Sequence, residues 1–136
     1  MDTSLIPYPY AARLATLAAA LSLAGCVGPF DSCGTDEGRD AVQVTVIDAR
    51  TGGPPTARPT LVVTEGAYAD TGRAYDPLQG ARLILSAGPE RPGTYALTVT
   101  AQGYRTWARS GVRVRRGGRC DRLETVQLTA RLEPEP

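Results

Sequence analysis

One stretch of the sequence decides the fold: Gly93-Thr-Tyr-Ala-Leu-Thr-Val-Thr-Ala-Gln-Gly-Tyr104. Its larger apolar side chains come at every second position: Tyr95, Leu97, Val99 and Ala101. The positions between them hold Ala96, Thr98 and Thr100. A period of two is typical of a β-strand that turns one face to a core and the other to solvent. We therefore predict a strand here, at the centre of its sheet.

Further strands are predicted on both sides of this one, because apolar alternation recurs between groups of turn-forming residues. The predicted ranges are 41–49, 61–64 with a continuation toward Tyr68, 73–76, 81–86, 106–115 and 125–132. Glycine, proline and aspartate predict turns at 48–55, 70–72, 87–93 and 117–118. Residues 133–136 are expected to form a frayed tail. About seven short strands favour an all-β sandwich over a helical or α/β fold.

The bulk composition argues against several classes of function. The chain has 136 residues, a formal net charge of +1 and no histidine. So small a charge provides no global attraction to nucleic acid or to an anionic membrane surface. Without histidine, the commonest general base and the commonest metal ligand are missing. We expect one non-enzymatic domain with no cofactor, no metal and no nucleic-acid partner.

The beginning of the chain indicates a leader. Arg13 precedes an apolar run, 14–24, whose 11 residues match a signal-peptide core and are too few to span a bilayer. The run ends in Leu23-Ala24-Gly25-Cys26, which resembles the lipobox of bacterial lipoproteins. This resemblance implies a signal helix within residues 1–25, cleavage before Cys26, and acyl groups on Cys26 that anchor the chain in a membrane. The alternative is an amphipathic helix packed on the domain, with Cys26 as an ordinary buried thiol.

Two cysteines remain once Cys26 is assigned to lipid. Cys33 precedes the first predicted strand and Cys120 precedes the last one. Because an even pair in an oxidising compartment usually forms a disulfide, we predict a Cys33–Cys120 bond. This bond fastens a tether, residues 26–40, to the domain. A metal site on the two thiols and a reactive free thiol remain as alternatives.

Carboxylates cluster in and beside the tether: Asp31, Asp36, Glu37 and Asp40. Their residue types suit an acid pair or a calcium loop. Their spacing lacks the alternate-position ligands and the terminal bidentate glutamate of a known calcium loop. A solvated tether is the competing interpretation.

Several motifs follow one another in the order found in one family. They are Val44-Thr-Val-Ile-Asp-x-x-Thr-Gly52, Gly93-Thr-Tyr-x-Leu-x-Val-x-Ala-x-Gly-Tyr104, Gly111-Val-x-Val114 and Val126-x-Leu-Thr-Ala-x-Leu132. Over residues 41–132 the chain resembles the carboxypeptidase regulatory-like, transthyretin-related domains. The resemblance implies a Greek-key, transthyretin-like (prealbumin-like) β-sandwich. It also implies a domain without a catalytic apparatus, since the zinc site of metallocarboxypeptidases lies in a separate domain.

Arginines are concentrated in the last third of the chain: Arg105, Arg109, Arg113, Arg115, Arg116, Arg119 and Arg122. Guanidinium groups bind phosphates and carboxylates through paired hydrogen bonds. The first five of these arginines are therefore candidate anion-binding residues on one strand face, with Trp107, Tyr104 and Tyr95 as a candidate stacking platform for sugar. The alternative is that the arginines form a solvated outer face and that Tyr95 and Trp107 lie in the core.

Two classes of function remain open. The first is an envelope lipoprotein, anchored through acyl groups on Cys26, that presents a structural or protein-interaction module. The second is a ligand-binding lipoprotein that uses the arginine face for anionic envelope glycans or lipids. Val27, rather than aspartate, follows Cys26. This favours the outer membrane, with the domain facing the periplasm or the exterior.

Overall fold

The computed structural model describes Cys33, residues 38–75 and residues 82–136. The predicted signal helix over 1–25, Cys26 and the acidic residues Asp31, Asp36 and Glu37 lie outside the described residues. Within the described part the chain is all-β and contains no helix. The predicted all-β class is confirmed.

Nine strands form two sheets in the described part of the chain. They are β1 (Asp40–Asp48), β2 (Thr60–Glu65), β3 (Tyr68–Thr71), β4 (Arg73–Tyr75), β5 (Leu83–Pro89), β6 (Gly93–Thr100), β7 (Trp107–Gly117), β8 (Arg122–Glu124) and β9 (Val126–Leu132). The first sheet has the order β4-β5-β1-β9, and the second has the order β3-β2-β6-β7-β8. All pairings are antiparallel except that of β1 with β9, which is parallel.

The core lies between the two sheets and comes from alternating positions of the strands. In β1 and β6 the largest fully buried side chains are those of Val42, Val44, Val46, Tyr95, Leu97 and Val99. Burying an aliphatic or aromatic side chain of this size contributes about 1.5–3 kcal/mol. The predicted inward faces are confirmed within β1 and β6, and β6 holds the predicted central position in its five-stranded sheet. β6 ends at Thr100, so Ala101 lies in the following loop, where it packs half-buried against the core.

The structure contains two strands, β3 and β8, that the sequence did not predict. Each has only three or four residues, with one large apolar side chain and no apolar alternation. The turn predicted at 70–72 is wrong, because Asp70 and Thr71 pair within the second sheet. The turn predicted from residue 87 begins too early, because β5 continues to Pro89. Its extension is held by the Gly88 N–H, which donates to Oδ2 of Asp70 at 2.8 Å.

The chain crosses from the second sheet to the first at Gly72, the single residue between β3 and β4. The Gly72 N–H donates to the carbonyl of Leu61 at 2.7 Å. A Cβ at this position would lie 2.8 Å from the Cβ of Leu61, closer than real side chains pack. The close approach of the two segments therefore requires glycine.

The strand directions define two ends of the sandwich. The end that we call the disulfide end contains the start of β1 and the connections β2–β3, β5–β6 and β7–β8. Cys33 and Cys120 form a disulfide there, with their Cα atoms 5.6 Å apart, so the predicted bond is confirmed. The opposite end, which we call the turn end, contains loop 49–59, loop 101–106 and residues 133–136.

The C-terminal residues are paired rather than frayed. The Arg105 N–H donates to the carbonyl of Glu133 at 2.8 Å, and the Glu135 N–H donates to the carbonyl of Gly103 at 2.9 Å. A β-bridge joins Tyr104 to Pro134 between these two bonds. The expectation of a frayed tail is wrong, because the backbone after β9 finds acceptors and donors on the 101–106 loop.

Candidate functional site

A bulge in β7 divides the candidate anion-binding arginines. Tyr95 pairs with Val112, but Leu97 pairs with Arg109, so β7 has an extra residue between these positions. Residues paired across neighbouring strands share one face of the sheet. Arg113 is paired with the exposed Thr94 and therefore lies on the outer face of the sheet. Arg109 is paired with the buried Leu97 and lies on the opposite face, although its own side chain is exposed.

Only two of the five candidates share a free outer surface. Arg115 lies two residues after Arg113 and on the same face, and neither side chain has an ion-pair partner among the described residues. Arg116 points the other way, where its guanidinium donates to the carbonyls of Glu90 and Asp121 at 2.9 and 3.3 Å. Arg105 lies at the turn end. The structure thus brings Arg113 and Arg115 together and separates Arg105, Arg109 and Arg116 from them.

The candidate stacking residues are largely withdrawn from solvent. Tyr95 is 1% exposed and Tyr104 is 8% exposed. Trp107 is half-buried and packs against the core. The interpretation of Tyr95 and Trp107 as core residues therefore describes the structure better than a sugar-stacking platform does.

A buried hydrogen-bond network at the turn end was not named as a site by sequence reasoning. The Tyr104 hydroxyl donates to Oδ2 of Asp48 at 2.8 Å. The Thr56 N–H donates to the same hydroxyl at 3.2 Å, and the Thr56 hydroxyl lies 3.3 Å from it. The signal was present in the sequence, since Asp48 and Tyr104 each belong to a motif of the resembled family. Only folding shows that the two motifs meet.

Asp48 also orders the loop that follows β1. Its Oδ1 accepts hydrogen bonds from the N–H groups of Arg50 and Thr51 at 2.7 and 3.1 Å, as in an Asx-turn. The hydrogen bond from Tyr104 holds the pKa of Asp48 below its usual range, and the Thr51 and Arg50 N–H groups lower it further. The carboxylate therefore stays ionised, and its two oxygens are engaged in holding loop 49–59.

Ion pairs gather at the disulfide end. Arg91 pairs with Glu65 at 3.4 Å, and its guanidinium also lies 4.2 Å from the centre of the Tyr68 ring. Arg116 pairs with Glu90, and Arg73 pairs with Asp40, both at 3.5 Å. Partly exposed pairs of this kind contribute about 0.2–1 kcal/mol each. The six charges of these three pairs thus neutralise one another.

Tyr95 connects the ion pairs of this end to the core. Its hydroxyl donates to the carbonyl of Arg91 at 2.8 Å. Burial raises the pKa of Tyr95, and the nearby carboxylate of Glu65 raises it further. The phenol therefore stays protonated and serves as a hydrogen-bond donor.

A small open cavity of about 220 Å³ lies where the chain crosses between the sheets. Its lining includes Arg58, Thr71, Leu83 and Leu85. Among the described residues, no group of three or more cysteine, aspartate or glutamate side chains could hold a metal ion. Within the same part of the chain, no helix is long and apolar enough to cross a membrane.

The chain matches no protein-family model and no curated protein.

Proposed function

We propose that the protein is an envelope lipoprotein, anchored through acyl groups on Cys26, which presents a non-catalytic sandwich as a structural or protein-interaction module. The observation that carries the proposal is the Cys33–Cys120 disulfide. Structural disulfides persist in exported proteins and are rare in the reducing cytosol. The bond thus agrees with the Leu23-Ala24-Gly25-Cys26 motif, which points to export and acylation.

The role as a module, rather than as an enzyme, is supported by how the polar groups are used. Asp48 and Tyr104 hold a turn, and the carboxylates of Glu65 and Glu90 engage arginines. These groups stabilise the fold, because they form hydrogen bonds and ion pairs with one another.

We also propose that the sandwich is of the Greek-key, transthyretin-related type. Two features support this assignment. The first strand, β1, pairs in parallel with the last strand, β9, inside the first sheet. The family motifs that end at Gly52 and at Tyr104 meet through the Asp48–Tyr104 hydrogen bond.

A second candidate function is the binding of anionic envelope glycans or lipids. Fewer residues support it than the sequence predicted, because only two of the five candidate arginines, Arg113 and Arg115, share the outer face of β7. Binding of an anionic glycan by this pair should weaken steeply with ionic strength. The Arg113→Gln, Arg115→Gln double variant should abolish it.

The test of the anchor is the intact mass of protein extracted from membranes, with and without reduction and alkylation. We expect the loss of residues 1–25, added acyl mass, and two thiols that alkylate only after reduction. The Cys26→Ser variant is the matched control, and it should stay unprocessed and carry no acyl mass. An unprocessed wild-type chain, or thiols that alkylate before reduction, contradicts the proposal.

A further inference from the structure

The last strand, β9, forms one edge of the first sheet and pairs with β1 alone among the described strands. The carbonyl of Leu132 accepts a hydrogen bond from the Ala49 N–H, so the backbone groups of Leu132 point toward β1. Successive residues of a strand direct their N–H and C=O groups to alternate sides. The N–H and C=O groups of Gln127, Thr129 and Arg131 therefore point away from β1, to the free side of β9.

The free edge of β9 is longer and more regular than the other edges in the described part of the chain. The remaining sheet edges are β3, β4 and β8, with four, three and three residues. Residues 107–114 of β7, which extend past β8, contain the bulge and Gly111 with a φ of 69°. Short strands and bulges prevent an edge from pairing with another chain. β9 has seven residues in continuous register with β1, without proline or glycine, and so lacks these protections.

The sequence of β9 complements itself across a two-fold axis. Antiparallel pairing centred on Thr129 sets Gln127 opposite Arg131 of a second copy and pairs every free N–H and C=O of these three residues. A shift of register leaves some of these groups unpaired. A shift that sets Arg131 opposite itself also places like charges together, which destabilises a strand pair. A symmetric dimer requires a self-complementary surface, and this register provides one.

The inner side of β9 is consistent with the same pairing. Val126 and Leu128 are only half-buried and pack at the margin of the core, whereas Ala130 and Leu132 are buried. In the register centred on Thr129, Leu128 of each copy lies opposite Ala130 of the other, and Val126 lies opposite Leu132. Pairing therefore covers the apolar surface that β9 leaves exposed, which favours association.

We propose that a second copy of this chain binds along β9, by antiparallel pairing about Thr129, so that the two four-stranded sheets form one continuous sheet. This contact lies wholly within the described domain and does not depend on the anchor at Cys26. A second copy suits the edge better than an unrelated extended segment does, because it supplies the uncharged Gln127 opposite the exposed Arg131.

The experiment is sedimentation equilibrium of the full chain in density-matched detergent over a range of protein concentrations. We expect a monomer–dimer equilibrium. Thr129→Pro removes an N–H that points away from β1, so it should spare the fold and weaken the dimer at least about tenfold. Thr129→Ala keeps the N–H and should change the dimer affinity less than about threefold. A wild-type chain that is monomeric at about 1 mM, or a proline variant that dimerises as well as wild type, overturns the proposal.

Substitutions of Gln127 test the register without proline. Gln127→Arg sets two arginines opposite each other at each end of the contact and should weaken the dimer about threefold or more, whereas Gln127→Glu should strengthen it about threefold. Thr100→Arg and Thr100→Glu make the same changes of charge on the exposed outer face of β6 and should leave the affinity unchanged. Equal shifts at the two positions mean that charge alone governs association, which overturns the register.

A synthetic peptide with the sequence of residues 125–133 tests which strand the edge accepts. An excess of this peptide should convert dimers of the chain to monomers, because it competes for the same backbone groups. Dimers that persist in the excess contradict pairing through β9. A chain that is monomeric yet binds the peptide overturns the second copy as the occupant and assigns the edge to an extended segment of another protein.

Discussion

The phenol hydroxyl of Tyr104 donates a 2.8 Å hydrogen bond to Oδ2 of Asp48, 56 residues earlier in the chain. The bond joins the last residue of β1 to the loop between β6 and β7, and these strands belong to different sheets. Both partners are buried. The contact therefore ties the two sheets together at one end of the sandwich, as the disulfide does at the other.

Removal of this hydroxyl should weaken the fold. We expect Tyr104→Phe to lower the free energy of unfolding by about 1–3 kcal/mol, because a buried carboxylate loses a donor. Tyr95→Phe is the control, since its hydroxyl bonds a neutral carbonyl, and it should cost about 1 kcal/mol. Urea denaturation of both variants measures the difference. Equal costs, or no cost in Tyr104→Phe, would show that the bond to Asp48 adds little.

The same carboxylate predicts an acid sensitivity. The pKa of Asp48 is lowered in the folded protein, chiefly by the Tyr104 hydrogen bond. Its contribution to stability is therefore complete above the unfolded pKa of about 3.9 and is lost as the pH falls through the lower folded value. Urea midpoints measured from pH 7 down to pH 2 should show a steeper loss below about pH 4 in wild type than in Tyr104→Phe. Parallel pH profiles contradict this assignment.

The disulfide should be a large source of stability. It closes a separation of 87 residues, for which the loss of unfolded-chain entropy amounts to about 4–5 kcal/mol. The Cys33→Ser, Cys120→Ser variant should lose most of this free energy in urea unfolding, whereas Cys26→Ser should lose none. Reduced wild type should match the double variant. A loss below about 1 kcal/mol means that the unfolded chain is not constrained by the bond.

The crossing at Gly72 should tolerate no side chain. Gly72→Ala places a Cβ 2.8 Å from the Cβ of Leu61, and relief of this overlap should cost about 1–3 kcal/mol. Gly53→Ala is the control, because its Cβ would meet only the Thr51 hydroxyl at 3.7 Å. Thermal unfolding should show a lower midpoint for the first variant and little change for the second. Equal midpoints would mean that the crossing relaxes freely.

The buried hydroxyl of Ser86 predicts a substitution that does not destabilise the fold. Ser86 is 2% exposed, and its Oγ has no hydrogen-bond partner among the described residues. Because an unsatisfied buried hydroxyl is costly, Ser86→Ala should leave stability unchanged or raise it by about 1 kcal/mol. The measurement is the urea midpoint. A clear loss of stability reveals a partner for this hydroxyl.

The fold class could be predicted because its signal is local. Apolar side chains alternate with others in 41–49 and 93–104, and the structure buries the apolar faces of β1 and β6 as expected. The short strands β3 and β8 were not predicted, since each contains only one large apolar side chain and no apolar alternation. They form only because a neighbouring strand offers unpaired backbone groups.

The candidate arginine face shows the limit of strand periodicity. Simple alternation places Arg109, Arg113 and Arg115 on one side of a strand. The register shift between Tyr95 and Leu97 inserts one residue and moves Arg109 to the other side. A bulge depends on pairing with a partner strand, so no reading of β7 alone finds it.

The sequence by itself determined the all-β class and the inward faces of the long strands, because alternation is a property of the chain. It predicted the pairing of Cys33 with Cys120 only after the lipobox resemblance had assigned Cys26 to lipid. The tertiary structure alone decided that Asp48 meets Tyr104, that the chain crosses the sandwich at Gly72 and that a bulge in β7 separates Arg109 from Arg113 and Arg115. These relationships join residues that are distant in sequence. They depend on strand register and on which loops share an end, and both are fixed only when the two sheets pack together.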